Sequence, residues 1–323
     1  MSATILVLVE HLRGNVADIT FEMLGAARKL SGPLQRPVEA VVLGREGAAL
    51  AGQLGAADRV LVVDDPALDP PSADAAVGAL QQLLSSRSPA LVLLGGTNVS
   101  FGLGTRLSAR TGLPFVNFGK GARVDGGAVV LTSQLFGGKI LTDVKLPEGR
   151  GIVSVYPGAF PADQGRSPKA PVVEKLAVAT PPAQVVFKEF VEPETGDVDI
   201  TKQTVLVAVG RGIQSADNVQ LAEDLARTLG GAVCASRPVI DQGWLPLSRQ
   251  VGKSGMSVKP RVYLAFGISG APEHWDGMQN SECIIAVNTD PKAPIFDGAH
   301  YGVVGDAVEL LPLLNEKVQA KKG

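Results

Sequence analysis

The fold is decided by residues 204–238, which read TVLVAVGRGIQSADNVQLAEDLARTLGGAVCASRP. The stretch begins with the apolar run "TVLVAVG", continues with helical periodicity in "SADNVQLAEDLARTLG", and returns to an apolar run in "AVCASRP". Continuous apolar strands around an amphipathic helix are typical of a parallel sheet that is covered on both faces. The pattern then continues through "RVYLAFG", "CIIAVN", "YGVVGD" and a closing helix at "AVELLPLLNEKVQA". Residues 201–323 are therefore predicted to form a doubly wound, Rossmann-like domain, whose ligand would lie at the carboxyl ends of the strands.

The first part of the chain alternates in the same way. Apolar runs at "TILVLVE", "VEAVVLG", "DRVLVVDD" and "ALVLLGG" are separated by helix-like segments such as "VADITFEMLGAARKL" and "ADAAVGALQQLL". From about residue 113 the runs become short and are broken by Gly-Gly pairs, which predicts antiparallel strands added to the sheet. The predicted fold class is α/β, with two doubly wound domains.

A proline-rich segment separates the two parts. Seven prolines fall between Pro157 and Pro193, too many for continuous regular structure. We expect an extended crossing between domains, with one more strand at "AQVVFKEF" (residues 183–190). The boundary is placed near residue 200, so that the N-terminal α/β domain covers residues 1–200.

Composition excludes several classes of protein. A formal charge of −2 and a pI near 6.0 give no electrostatic reason to expect nucleic acid or an anionic membrane as a partner. No secretory leader pattern and no apolar run of about 20 residues are present, so direct membrane insertion is not expected. Cys234 and Cys283 lie inside apolar runs, which predicts buried thiols in a reducing, cytoplasmic setting. Two cysteines cannot hold a four-thiolate iron–sulfur cluster, and the sequence contains no metal-binding motif. Any redox centre should therefore be organic.

Polar residues collect directly after the strands of the second domain. The five clusters are Gly210-Arg211-Gly212, Ser236-Arg237, Gly267 to Gly270, Asn288 to Pro291, and Gly305-Asp306. Each cluster alone is more typical of a tight turn or a surface side chain than of a ligand site, and His274 alone is more typical of a structural histidine. Because parallel strands end at one sheet edge, five clusters together favour a ligand site. Arginines suit an anion there, and the helix after Gly212 is expected to offer N–H groups to a phosphate.

Other motifs do not support a different chemistry. "GLGTRL" at Gly102 has Leu107 where a dinucleotide fingerprint needs its third glycine. This mismatch disfavours a stand-alone NAD dehydrogenase. A non-redox nucleotide-binding module remains open at this point.

The ordered motifs of the second domain resemble the C-terminal FAD domain of the electron transfer flavoprotein α subunit. They are residues 210–244, "QVGKSG" (250–255), "YLAFGISGAPEHWDGM" (263–278), "AVNTDPKAPIF" (286–296) and "YGVVGD" (301–306). The first part resembles the same subunit more loosely, through "ILVLVEH" and "FGGKILTDVK". In that family the N-terminal domain packs against a β subunit, and FAD is the cofactor.

The resemblance implies roles for individual residues. Arg237 would place a guanidinium over the isoalloxazine, Ser254 would approach flavin N5, and His274 would reach the pyrimidine carbonyl. Together these three would tune the flavin, and Asn288 and Asp306 would hold the adenosine end. The full set of implied cofactor-binding residues is Arg211, Ser236, Arg237, Gln250, Val251, Gly252, Lys253, Ser254, Ser269, Gly270, Ala271, Pro272, Glu273, His274, Asn288 and Asp306.

The chain departs from the family at several of these positions. Gln and Thr usually stand where this chain has Lys253 and Ser254, Lys often stands at Thr289, and Ile-Gln stands at Pro272-Glu273. One hypothesis is that Lys253 makes the phosphate contact of the missing lysine at 289. A second is that the carboxylate of Glu273 keeps the neighbouring His274 ring charged.

The function implied is an FAD-carrying electron carrier, the α half of an α/β heterodimer. Its donors would be flavin dehydrogenases, such as the acyl-CoA dehydrogenases of fatty acid oxidation, and its acceptor a quinone-linked oxidoreductase. The alternative within the family is a flavin-based electron-bifurcating complex that oxidises NADH, in which the β subunit holds a second FAD.

Overall fold

Two large sheets organise the chain, one in each half, in the computed structural model of the protein. The structure describes residues 3–45, 47–180, 184–185, 187–189 and 198–322. By its internal contacts the chain divides into two units, residues 1–189 and 190–323. Within the described ranges, no helix is both long and apolar enough to cross a membrane.

The first unit contains a nine-stranded sheet of order β11-β5-β4-β1-β6-β10-β7-β8-β9. Its elements are β1 (Ile5–Leu8), β2 (His11–Leu12), β3 (Asn15–Val16), α1 (Asp18–Leu34), β4 (Val38–Leu43), α2 (Gly47–Leu50), β5 (Arg59–Val63), α3 (Ala73–Arg87), β6 (Leu91–Gly95), α4 (Leu103–Thr111), β7 (Phe115–Asp125), β8 (Ala128–Leu135), β9 (Ile140–Leu146), β10 (Gly151–Val155) and β11 (Val172–Lys175). Strands β11 to β7 of this order pair in parallel. The apolar runs predicted this for β1, β4, β5 and β6, but not for β7, β10 and β11.

The antiparallel addition predicted after residue 113 is also confirmed. Strand β8 pairs antiparallel with both β7 and β9. The sequence reading missed β10, which inserts in parallel between β6 and β7, and it missed the short helix α4. Strand β10 is buried along its whole length, because it lies inside the sheet rather than at its end.

The proline-rich crossing carries its strand at a different place from the one predicted. Strand β11 pairs with the edge strand β5, and Glu174 of β11 forms ion pairs with Arg59 and Arg87. The strand predicted over residues 183–190 lies partly outside the described residues, and those described there are not in a strand. Both segments, 172–175 and 183–190, contain a Val-Val pair. The earlier one forms the strand because it pairs with the edge strand β5.

The second unit contains a five-stranded, fully parallel sheet of order β13-β12-β14-β15-β16. Its elements are β12 (Val205–Val209), α5 (Val219–Leu229), β13 (Ala232–Ala235), α6 (Arg237–Asp241), β14 (Val262–Phe266), α7 (Pro272–Met278), β15 (Cys283–Asn288), β16 (Tyr301–Val304) and α8 (Ala307–Lys322). Alternate residues of β12 enter separate apolar clusters: Leu206 and Ala208 enter one, Val207 and Val209 the other. The sheet therefore has a core on each face, which confirms the doubly wound architecture.

Candidate functional site

A cavity of about 560 Å³ opens at the carboxyl edge of the five-stranded sheet. The ends of β12, β13, β14 and β15 all contribute to it, because these parallel strands finish at the same edge. Its lining residues are Arg211, Gly212, Ser236, Arg237, Pro238, Asp241, Gln250, Val251, Gly252, Lys253, Ser254, Gly267, Ile268, Ser269, Ala271, Glu273, His274 and Asn288.

All the predicted cofactor-binding residues line this cavity except Gly270, Pro272 and Asp306. Gly270 has a positive φ of 86°, and a Cβ there would lie 2.3 Å from the backbone nitrogen of Ile295. Pro272 opens helix α7. Asp306 caps helix α8 by accepting from the Val308 backbone N–H at 2.7 Å. In the structure these three residues support the neighbouring elements, and their contact with a cofactor stays a prediction.

Gly212, Gly267 and Ile268 belong to the strand-end clusters that were predicted to meet here, and they line the cavity as well. Pro238 and Asp241 also line it, and sequence reasoning did not assign these two to the site. Asp241 is the informative omission. It lies four residues after Arg237 on helix α6, and its Oδ2 is 3.4 Å from the Arg237 Nε. Residues four apart on a helix share a face, so the spacing from Arg237 was the available signal.

The helix after Gly212 begins too late in the chain to line the cavity, so its contact with a phosphate stays a prediction. Helix α5 starts only at Val219, after two short 3₁₀ turns, and none of its residues lines the cavity. Glycine is needed in the cluster after β12 for a different reason. A Cβ on Gly212 would lie 2.5 Å from the Cα of Gly267, so the loops after β12 and β14 pack backbone against backbone.

Residues 250–256 form a loop that is held on both sides. The Val251 N–H donates to the carbonyl of Ala235 at the end of β13, and the Lys253 N–H donates to the carbonyl of Glu273 on α7 at 2.7 Å. Inside the loop, the amide Nε2 of the buried Gln250 donates to the Ser254 hydroxyl at 2.9 Å. A hydroxyl that accepts this bond keeps its own proton for an acceptor on the cavity side.

The charged side chains of the cavity are of mixed sign with an excess of cations. Arg211, Arg237 and Lys253 are cationic, and Asp241 and Glu273 are anionic. The side chain of Arg237 is 67% exposed, so the ion pair with Asp241 is open to solvent and its attraction is screened. The arginines therefore remain able to serve an anionic ligand.

Asn288 lines the cavity, but its amide is engaged by the protein. Its Nδ2 donates to the carbonyl of Ile268 at 2.9 Å, and its Oδ1 accepts from the Asp290 N–H at 2.9 Å. The side chain thus ties the loop after β14 to the end of β15. Its predicted contact with adenosine remains a prediction.

His274 is buried in the cavity wall, with only 6% of its surface exposed. Its Nδ1 lies 3.2 Å from the carbonyl of Val251, and its Nε2 lies 3.0 Å from the hydroxyl of Tyr263. Burial lowers the pKa of His274 to about 4, and the bond to Val251 offsets only part of that effect. The prediction that Glu273 keeps this ring charged is therefore wrong. Adjacent helical residues point in different directions, so neighbours in sequence do not meet.

A second cavity, of about 270 Å³, lies at the carboxyl edge of the nine-stranded sheet. Its side chains are hydroxyls, an amide and apolar groups, among them Thr97, Ser100 and Asn117, and none of its lining residues is cationic. Behind it, the buried carboxylate of Glu10 accepts from the hydroxyls of Thr97 and Ser100. Burial raises the pKa of Glu10, and this cavity is poorly suited to a diphosphate.

Comparisons with known proteins agree for both halves of the chain. The model of the electron transfer flavoprotein domain matches residues 5–181, and that of the electron transfer flavoprotein FAD-binding domain matches residues 199–279. The electron transfer flavoprotein subunit alpha of Mycobacterium leprae is 38% identical, over 99% of this chain and 100% of that one. The chain belongs to the electron transfer flavoprotein α-subunit family.

Two further relatives show the range of this α-subunit family. The electron transfer flavoprotein subunit alpha of Megasphaera elsdenii is 35% identical, over 99% of this chain and 97% of that one. The lactate dehydrogenase (NAD(+),ferredoxin) subunit LctC of Acetobacterium woodii is 34% identical, over 96% of this chain but 75% of LctC. The cofactor that belongs to the matched C-terminal domain is FAD.

The residues of the larger cavity fit FAD. Its volume lies in the range of cofactor sites, about 300–1,000 Å³. Three cations suit a diphosphate, and residues of the loops after β12, β13 and β14 line the cavity. The second cavity has no such cations, so the physical fit agrees with the domain that the family model names.

Proposed function

We propose that this chain is the FAD-carrying α half of an α/β heterodimer that transfers electrons one at a time. It would accept them from flavin dehydrogenases, such as acyl-CoA dehydrogenases, and pass them to a quinone-linked acceptor. The observation that carries the proposal is the cavity at the edge of the five-stranded sheet, where Arg211, Arg237 and Lys253 meet the hydroxyl of Ser254.

The side chains of the cavity suit the stabilisation of charge more than the transfer of protons to a substrate. FAD supplies the redox centre when it is bound. Arg237 and Arg211 offer fixed positive charge, which favours a developing anion without the movement of a proton. Ser254 offers a hydroxyl donor, and buried His274 is uncharged at neutral pH. These roles are those of a carrier that tunes its cofactor.

A β-subunit partner is implied by membership of the α-subunit family, and we propose that residues 1–200 pack against it. The turn between β8 and β9 supports this proposal. Its apolar side chains are exposed, with Phe136 at 74%, Leu141 at 60%, Ile140 at 49% and Leu135 at 41%. A cluster of this kind is suited to burial in a protein interface.

The second candidate is the α subunit of an electron-bifurcating complex that oxidises NADH. It is favoured by the similarity to LctC, whose name joins NAD(+) and ferredoxin. The cavity described here serves both functions equally, because the second FAD of the bifurcating form would lie in the β subunit.

Co-expression of this chain with its β-subunit partner tests the proposal, with flavin and nucleotide counted per heterodimer. One FAD with AMP supports the simple carrier, and two FAD support the bifurcating complex. A colourless heterodimer would sink both and would favour a non-redox nucleotide-binding module.

A further inference from the structure

The second cavity, at the carboxyl edge of the nine-stranded sheet, contains a buried hydroxyl that no protein group engages. Ser154 lies near the end of β10, lines this cavity and is only 6% exposed. Its Oγ lies beside Gly96, 3.2 Å from the position that a Cβ of that residue would take. Among the described residues, this hydroxyl has no hydrogen-bond partner. A buried hydroxyl without a partner costs stability, so its position in a cavity wall points to a ligand that would engage it.

The sheet is deformed directly opposite Ser154. Between two pairs of the ladder that joins β10 to β7, β7 contains one residue more than β10, which makes a β-bulge. The bulge comprises Asn117 and Phe118, and both residues line the cavity. The φ of Phe118 is 52°, a left-handed conformation that residues other than glycine rarely adopt. Bulges of this kind re-aim side chains beside functional sites, so the deformation forms part of the cavity wall.

The cavity offers aromatic rings and hydrogen-bond donors together. Phe101, Phe115 and Phe118 line it, and their rings can pack against a flat ring. Gly104 and Thr105 also line it, and both lie in the first turn of helix α4. The first N–H groups of a helix have no partner within the helix, so this turn suits a carbonyl oxygen of a ligand.

The charges around the cavity disfavour an anion. None of the described residues that line it is charged. The carboxylate of Glu10 lies directly behind Gly95, where a Cβ would be 2.2 Å from its Oε1. The hydroxyls of Thr97 and Ser100 donate to that carboxylate, so their protons are not available to a ligand. An uncharged ligand is therefore favoured, and a volume of about 270 Å³ has room for one ring system.

We propose that this second cavity binds an uncharged aromatic heterocycle with an amide-type polar edge, of the size of a nicotinamide or a purine ring. The Oγ of Ser154 would bond that edge. The Nδ2 of Asn117 would bond it as well, since the Oδ1 of the same amide accepts from the Phe118 N–H at 3.0 Å. The phenylalanine rings would pack against the heterocycle. This site is separate from the cavity that we assign to FAD, and the inference does not depend on that assignment.

Calorimetric titration of the heterodimer, with FAD bound, tests the proposal with three probes. Nicotinamide represents a pyridine amide, hypoxanthine represents a purine, and nicotinate is the anionic counterpart of nicotinamide. We expect at least one of the two uncharged rings to bind. Nicotinate should bind at least about tenfold more weakly than that ring, because a carboxylate would lose water without gaining a cation. In hydrogen–deuterium exchange, the bound ring should protect residues 95–105 and 117–118, which line the cavity.

Ser154→Ala removes only the hydroxyl. We expect it to weaken binding of the ring about 2- to 10-fold and to leave the midpoint of thermal unfolding without ligand unchanged, because the hydroxyl makes no bond within the protein. Ser281→Ala is the matched control, since Ser281 is equally buried, lies outside both cavities, and donates to the Met278 carbonyl at 2.6 Å. It should lower the midpoint and leave the affinity unchanged.

Three results would overturn the proposal. They are the absence of binding by both uncharged rings, an affinity for the ring that is unchanged in Ser154→Ala, and nicotinate that binds as tightly as the uncharged ring. A lower unfolding midpoint in Ser154→Ala would also count against it, because the hydroxyl would then have a structural role. A heterodimer that binds no FAD would refute the proposed function and would leave this titration valid.

Discussion

Replacing Lys253 by methionine removes one of the three cationic side chains that line the cavity. The backbone of the loop should be preserved, because the Lys253 N–H donates to the Glu273 carbonyl and this bond does not involve the side chain. An ammonium about 4 Å from a phosphate is worth about 1 kcal/mol in water and about 4 kcal/mol at the edge of a protein. Lys253 is exposed, so we expect the lower part of that range, about 1–2 kcal/mol. FAD should therefore bind roughly 5- to 30-fold more weakly.

The assay is the dissociation constant of FAD, measured by the quenching of flavin fluorescence at low and high salt. The screening length falls from about 30 Å at 0.01 M to about 3 Å at 1 M ionic strength, so the difference between wild type and Lys253→Met should shrink at high salt. Lys292→Met is the matched control, since Lys292 is exposed in the same unit but does not line the cavity. Equal effects of the two substitutions, or a salt dependence that is unchanged in Lys253→Met, would refute the phosphate contact.

Two further substitutions test the structure around the sheets. Arg59 donates to Glu174 at 2.6 Å and lowers its pKa, so this carboxylate adds stability above pH 4.5 that is lost as the pH falls through its folded pKa. In urea denaturation, Glu174→Gln should lower the free energy of unfolding by about 0.5 kcal/mol at pH 7 and leave it unchanged at about pH 3. An equal loss at both pH values would contradict the ion pair. Gly267→Ala should cost at least about 3 kcal/mol, because φ is 64° and the new Cβ would lie 2.6 Å from the Cα of Gly212. Gly230→Ala, at φ 71° in open space, should cost about 1 kcal/mol, and equal costs would refute the close packing.

The buried strands were predictable because continuous apolar runs leave few alternatives. Strands β1, β4, β12 and β14 lie where the runs placed them. The edge strands were harder to predict from the sequence, because their positions depend on pairing with a neighbouring strand. Strand β11 forms at Val172–Lys175, where β5 offers a partner and Arg59 an ion pair. Nothing within "PVVEKL" alone distinguishes it from "AQVVFKEF".

The site was predictable in its position and less so in its internal bonds. Clusters after parallel strands must meet at one edge; four of the five contribute lining residues to the cavity, and Gly305-Asp306 does not. The state of His274 depends instead on Tyr263 and Val251, which lie 11 and 23 residues away in the chain. The sequence neighbour Glu273 was the misleading clue, since it does not set the charge of the ring. Contacts across elements of this kind require the packed structure.

The central claim is that FAD occupies the cavity of the second unit. Hydrogen–deuterium exchange of the heterodimer, with FAD bound and after its removal, tests this claim most directly. We predict that FAD protects the loops at residues 211–212, 236–241, 250–254 and 267–274, which line that cavity. Residues 94–105, at the cavity of the first unit without cationic side chains, should exchange equally in both states. Protection confined to residues 94–105 would contradict the account.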